Sequence, residues 1–212
     1  MNRIALCFVV ILLTAGCATS PVGGAGSVAW NVYRPEPQLP RDVHRIAVLP
    51  VVVDRADATV EDGRDDLEPV LYAELRKRAA ADLVIVTREQ LRDWTGREDW
   101  TTAEPLPRDF FERLTAETGC DALVFCRLSE FRAYPAVAVG WNIQLVVSRK
   151  HTLWAVDQVF DAGNPAVAAA AKRYYAHDLR EPGVYDPSTI LLSPRRFGQF
   201  AAAQVAATLP GR

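Results

Sequence analysis

Residues 45–53 read Arg-Ile-Ala-Val-Leu-Pro-Val-Val-Val, apolar at every position after the first. Neighbouring side chains of a strand point to opposite faces, so this run is apolar on both. It fits an interior strand of a sheet covered on its two sides. The stretches that follow supply partners for it. Leu67, Val70, Leu71 and Leu75 fall at helical spacing within residues 65–80. Asp65 and Asp66 stand at the positive end of that helix, and Arg76, Lys77 and Arg78 at its negative end. Residues 83–86, Leu-Val-Ile-Val, form a second strand. Thr87-Arg88-Glu89-Gln90 then matches a capping box, which predicts a short helix through Leu91 to about Trp94.

A polar loop with Gly96, Pro105 and Pro107 leads to a helix over 109–118, with Phe110, Phe111 and Leu114 inward and Gly119 as its stop. Residues 122–134 are a long third strand. In the fourth, over 139–148, Val139, Trp141, Ile143, Leu145 and Val147 alternate with Gly140, Asn142 and Gln144, the period of a half-buried strand. The short turn at 149–151 joins it to a fifth strand ending at Phe160, an antiparallel hairpin. Asn164-Pro165 and Ser193-Pro194 each cap a helix, one reaching about His177 and one about Thr208, with an irregular loop over 180–192 between them. The order β-α-β-α-β-β-β-α-α predicts an α/β (α+β mixed) fold: a mixed sheet of about five strands covered by helices. With 50% hydrophobic and 24% charged residues among 212, the chain has enough apolar material for one stable core.

The first residues have a different character. Arg3 precedes an unbroken apolar run over 4–13, and small residues lead to a cysteine: Leu13-Thr14-Ala15-Gly16-Cys17. About ten apolar residues are half of what a helix needs to span a bilayer. Basic start, short apolar run and small residues make a secretory signal over 1–16. Its end resembles the bacterial lipobox, with Thr14 where Leu is usual. The likeness implies acylation of Cys17, cleavage before it, and anchoring at a membrane through the N-terminal lipid. Ala18 in place of Asp after the cysteine favours the outer membrane, facing the periplasm. Residues 17–40, with Gly23, Gly24, Gly26, Pro35, Pro37 and Pro40, read as the lipidated cysteine and a flexible linker. Residues 41–212 read as one globular periplasmic domain.

Several segments carry a family likeness: Arg-Ile-Ala-Val-Leu-Pro at 45–50, Val86-Thr87-Arg88-Glu89-Gln90-Leu91, Gly119-Cys120-Asp121-Ala122-Leu123-Val124, and the arm Thr152-Leu153-Trp154. Over about residues 44–161 the chain resembles the superfamily of bacterial lipoproteins that includes the curli-secretion channel subunit and the lipoprotein activators of penicillin-binding proteins. Arg149-Lys150-His151 departs from the Thr-Gly-Glu usual before the Leu-Trp arm. Residues 94–161 and Ser193-Pro194-Arg195-Arg196-Phe197 also look like an uncharacterised lipoprotein family.

Catalytic chemistry finds little support. His44, His151 and His177 share no metal-ligand spacing, and no Cys-x-x-Cys is present, so neither metal nor cofactor is expected. Cys120 and Cys126, six residues apart on an extended strand, are about 20 Å apart, too far for a disulfide. Ser129, Ser148 and Ser193 lack a nucleophile-elbow context. A net charge of −2 gives no general pull toward nucleic acid. The recurring Asp93-Trp94-Thr95 and Asp99-Trp100-Thr101 in a polar stretch make Trp94 and Trp100 the candidate partner contacts. The expectation is a non-enzymatic, membrane-anchored lipoprotein that binds or assists assembly of another envelope component, with a protein partner and no small-molecule substrate. An oligomeric secretion-channel subunit and an envelope hydrolase are the alternatives. A channel strand needs about 9–11 alternating residues, and the loops that could hold one, 54–64 and 95–107, are short and charged.

Overall fold

A computed structural model describes residues 31–53, 58–148, 151–179 and 186–212. The proposed signal, Cys17 and the first part of the linker lie outside them. One six-stranded sheet organises the chain, in the order β1-β6-β5-β4-β2-β3. The strands are β1 (Val32–Tyr33), β2 (Arg45–Val53), β3 (Asp82–Ile85), β4 (Ala122–Arg132), β5 (Ala138–Ser148) and β6 (His151–Asp161). β2 runs parallel to both β3 and β4, and the β4-β5-β6-β1 side is antiparallel. The mixed, helix-covered sheet expected from the sequence is the fold observed, with one strand more than expected.

The helices are α1 (Ala58–Arg78), α2 (Arg88–Thr95), α3 (Phe110–Thr118), α4 (Pro165–Tyr174) and α5 (Pro194–Ala206). The chain steps from β2 to β3 through α1, then back past β2 to β4 through α2 and α3. Steps in opposite directions with the same right-handed crossover put their helices on opposite faces. On one face α1, α4 and α5 bury Val48, Cys126, Leu128, Trp141, Ile143 and Trp154 in the large core. On the other, α2, α3 and the loop between them bury Ala47, Leu49, Leu123 and Phe125 in a smaller one.

Local signals set most boundaries. Thr87 accepts from the Gln90 backbone while the Gln90 side chain accepts from the Thr87 backbone, completing the capping box of α2. Gly96 and Gly119 end α2 and α3 in the left-handed region. Asn164 and Ser193 cap α4 and α5. α1 departs from expectation: it starts seven residues before Asp65 and runs through Pro69. Proline there removes one intrahelical hydrogen bond. The extra turns are held by burial, since Val60 is in the large core and Gly63 lies so near Phe131 that a Cβ would sit 2.2 Å from its ring. Gly198 plays the same part where α5 crosses α1, with Leu67 only 2.3 Å from where its Cβ would be. α4 ends at Tyr174 and a π-helical turn, Tyr175–Leu179, carries the chain on past His177. A 3-10 turn, Pro187–Leu192, lies in the stretch read as irregular.

Part of the stretch read as linker belongs to the folded body. Val32 and Tyr33 pair with Val156 and Ala155 of β6, and Leu39 is buried in the large core. Leu39 N–H donates to Gly211 C=O at 2.8 Å, and Gly211 N–H to Pro37 C=O at 3.1 Å, tying this segment to the C-terminal residues. The apolar Val32 and Leu39, on either side of Pro35 and Pro37, supply its contact with the large core.

Candidate functional site

The helices of the second face stop short of the sheet's antiparallel side. α2, α3 and the 96–109 loop cover β2 and β4 near Leu49, Leu123 and Phe125. Beyond them the floor is polar. Arg127 of β4 stands directly across from Asn142 of β5, which stands across from Asp157 of β6. Gln144 lies two residues along β5, opposite Phe125 and Ala155. The stretch around 100–106 overhangs this floor and closes a cleft of about 440 Å³, within the range of small-ligand sites. Trp100, Thr101, Glu104, Leu106 and Phe111 form its wall, and Arg127, Asn142, Gln144 and Thr152 its polar floor.

The overhang is a rigid piece. Trp100 donates from Nε1 to Thr95 Oγ1 at 2.8 Å, and Thr95 Oγ1 donates to Leu91 C=O at 2.6 Å. Its ring meets Phe110 edge-on at 5.3 Å between centroids, and Phe110 stacks with Phe125 at 6.0 Å. The Arg97 guanidinium lies 4.2 Å from the indole centre and holds Glu104 at 2.8 Å and Asp99 at 3.3 Å. Glu104 also accepts from the Thr101 backbone N–H. The negative charge of the wall is therefore largely matched by Arg97.

The structure places the two tryptophans, the candidate partner contacts, against the smaller core. Trp100 retains 6% of its surface and is part of the smaller core while also lining the cleft. Trp94 is half-buried against the same cluster. The polar loop composition around them gave no sign that Arg97, Thr95 and Phe110 would enclose the Trp100 ring. Arg127, Asn142 and Gln144 belong to no motif or spacing that marks a site in the sequence. A signal for the last two was present: polar side chains alternating on a strand paired on both sides mark a face that no helix covers.

A second polar cluster sits at the carboxyl ends of β2 and β3, where the chain reverses its direction across the sheet and α/β folds often bind ligands. Glu68 of α1 accepts from Val51 N–H at 3.0 Å and from the Tyr72 hydroxyl at 2.5 Å. Arg88 donates to Glu68 at 2.8 Å and to Val51 C=O at 2.9 Å. The register of β2 against β4 shifts between Val48 and Val51, around Pro50, which has no N–H to give the ladder. Glu68 and Arg88 pair the backbone groups of Val51 at this irregularity, so the cluster is a latch. Burial pushes the Tyr72 phenol far above its usual range, and the Glu68 carboxylate beside it adds to the shift.

Cys120 and Cys126 are free and buried, on opposite faces of the sheet. Burial drives the Cys126 thiol well above the ordinary thiol range, keeping it protonated and unreactive. His44 precedes β2, His151 opens β6 and His177 lies in the π-helical turn. Among the described residues no group of three or more His, Cys, Asp or Glu is placed to hold a metal ion, and no helix is long and apolar enough to cross a membrane.

No family model matches the chain, and no curated protein matches it. Among solved structures it is similar to the PelC dodecamer from Paraburkholderia phytofirmans, at 14% identity over 85% of this chain and 98% of that one, with a TM-score of 0.44. It is similar to lipoprotein GNA1162 from Neisseria meningitidis, at 19% identity over 64% and 98% of the two chains, TM-score 0.39. It is also similar to the hypothetical protein CT253 from Chlamydia trachomatis, at 14% identity over 77% and 96%, TM-score 0.45.

Proposed function

We propose that this chain is a lipid-anchored protein of the bacterial envelope that works by binding rather than by catalysis. The observation that carries the reading is the N-terminal sequence: an apolar run over 4–13 ending in Ala15-Gly16-Cys17. Acyl chains on Cys17 hold the body at a membrane, with about 0.8 kcal/mol from each buried methylene. Ala18 supports an outer-membrane position with the body in the periplasm. Tethering confines the body to a surface and raises its effective concentration for an envelope partner. The cleft between the 100–106 overhang and the polar sheet floor is the surface we assign to that partner, because its wall is rigid and its floor is accessible.

The test is metabolic labelling with a clickable fatty acid, followed by membrane fractionation. The wild-type chain takes the label and sediments with membranes; Cys17→Ser does neither. Equal labelling and membrane retention of Cys17→Ser would overturn the anchor.

A further inference from the structure

Three cleft residues stand out because they are left without partners. Among the described residues, Arg127, Asn142 and Gln144 make no side-chain hydrogen bond or ion pair, although all three line the concave space. The other charged wall residue, Glu104, is held by Arg97. β5 is paired along its length with β4 and β6, so Asn142 and Gln144 are fixed on a rigid floor about 7 Å apart. Arg127 is the direct cross-strand neighbour of Asn142, about 5 Å away.

From this arrangement we infer that the cleft binds the carboxyl-terminal residue of a peptide chain. The inference rests on the cleft being the binding surface. The Arg127 guanidinium presents a planar fork of donors that matches a carboxylate with two parallel hydrogen bonds. Each side-chain amide presents a donor and an acceptor in one plane, the same pair that a peptide group offers in return. A terminal residue carries its carboxylate next to a peptide group, and the adjacent Arg127, Asn142 and Gln144 repeat that order. Leu106 and Phe111 in the wall give the terminal side chain an apolar contact.

The surrounding charges set the polarity. Asp157 lies across Asn142 on the side away from Arg127 and is exposed. It repels a carboxylate there and leaves the Arg127 end as the place for one. Arg127 is the one cation among the cleft's lining residues and Asp157 stands beside the floor, so a single carboxylate beside neutral amides fits better than a polyphosphate.

The experiment is calorimetric titration of the full chain, as isolated in mild detergent, at low ionic strength. The probes are N-acetyl-L-alanyl-L-alanine, its C-terminal carboxamide, and acetate. The acid is expected to bind at least about 10-fold more tightly than the carboxamide, the factor lost with one charge-assisted hydrogen bond. Arg127→Met should bring the acid down to the carboxamide's affinity with little change in the thermal midpoint, since it keeps the apolar stem and the Arg127 side chain makes no hydrogen bond or ion pair in the fold. Arg127→Lys keeps the charge but loses the fork and should fall between, which serves if the Met variant folds poorly. Asn142→Ala should weaken acid and carboxamide alike. Equal binding of acid and carboxamide, or no binding of either at millimolar concentration, overturns the proposal. Acetate binding as tightly as the dipeptide acid overturns its peptide part. Because the titration does not depend on membrane attachment, its failure is distinct from a failure of Cys17→Ser to change localisation.

Discussion

The two faces of the sheet are built to different standards of closure. One is covered from edge to edge by α1, α4 and α5, and its contacts are almost wholly apolar: Trp141, Trp154, Phe160, Phe197 and Phe200 are all fully buried there. The other is covered over β2 and β4 only, by two short helices and an overhanging loop, and then gives way to Arg127, Asn142, Gln144 and Asp157. Even the buried charge differs in kind. On the closed face Glu74 is 5% exposed and is met by Lys77 at 2.6 Å and Gln199 at 3.1 Å. On the open face the polar side chains of the floor point into a cleft and are left for something else to meet. A face completed by its own helices contributes stability; a face left incomplete offers a site, held rigid by the strands beneath it.

The largest expected effect lies on the closed face. Leu71 of α1 is fully buried, so Leu71→Asp places an unpaired charge in the large core. That costs several kcal/mol, of the order of a domain's whole stability of about 5–15 kcal/mol. Chemical denaturation should show loss of the cooperative transition, and a cooperative transition near the wild-type midpoint would mean that this face is looser than described. Next comes the overhang. Trp100→Ala removes a packed indole from the smaller core and should cost about 3–5 kcal/mol, lowering the melting temperature by roughly 6–20 °C. A melting temperature within a degree of wild type would return Trp100 to the role of an exposed contact and enlarge the open part of that face.

The smallest effect concerns the rim where the open-face connection from α3 enters β4. Asp121 accepts from the backbone N–H groups of Arg45 at 2.9 Å and His44 at 2.8 Å, and these bonds hold its carboxyl below the usual carboxylate range. A carboxyl lowered on folding adds stability that is present above its unfolded value of about 3.9 and disappears as pH falls through the lower folded value. The group is exposed, so the contribution is below about 1 kcal/mol. Thermal unfolding at pH 7 and pH 3 should therefore show a slightly smaller acid-induced loss for Asp121→Asn than for wild type. An equal loss in both would show that the backbone bonds contribute nothing to this rim.

Much of the architecture is written in short-range patterns, because they act locally. The all-apolar run of β2, the helical spacing of Leu67, Leu71 and Leu75, the capping box at Thr87 and the proline-led helices after Asn164 and Ser193 each impose a conformation on their own few residues. Together they imply a mixed sheet with helices on both sides. The features that escaped depend on residues far apart in the chain. α1 extends before Asp65 because Gly63 meets Phe131, and β1 exists because β6, more than a hundred positions along the chain, offers an edge on which Val32 pairs with Val156 and Tyr33 with Ala155.

The cleft is the extreme case. Asn142 and Gln144 can be read from the sequence as the polar side of a strand, and Trp100 as an aromatic in a polar loop. Their meeting cannot, since it depends on how far α2 and α3 reach across the sheet and on Arg97 and Thr95 closing around the indole. The sequence by itself determined the elements and the apolar faces, through backbone preference and periodicity. Only the tertiary structure decided which part of the sheet stays uncovered, because coverage is set by the length and placement of helices packed from elsewhere in the chain.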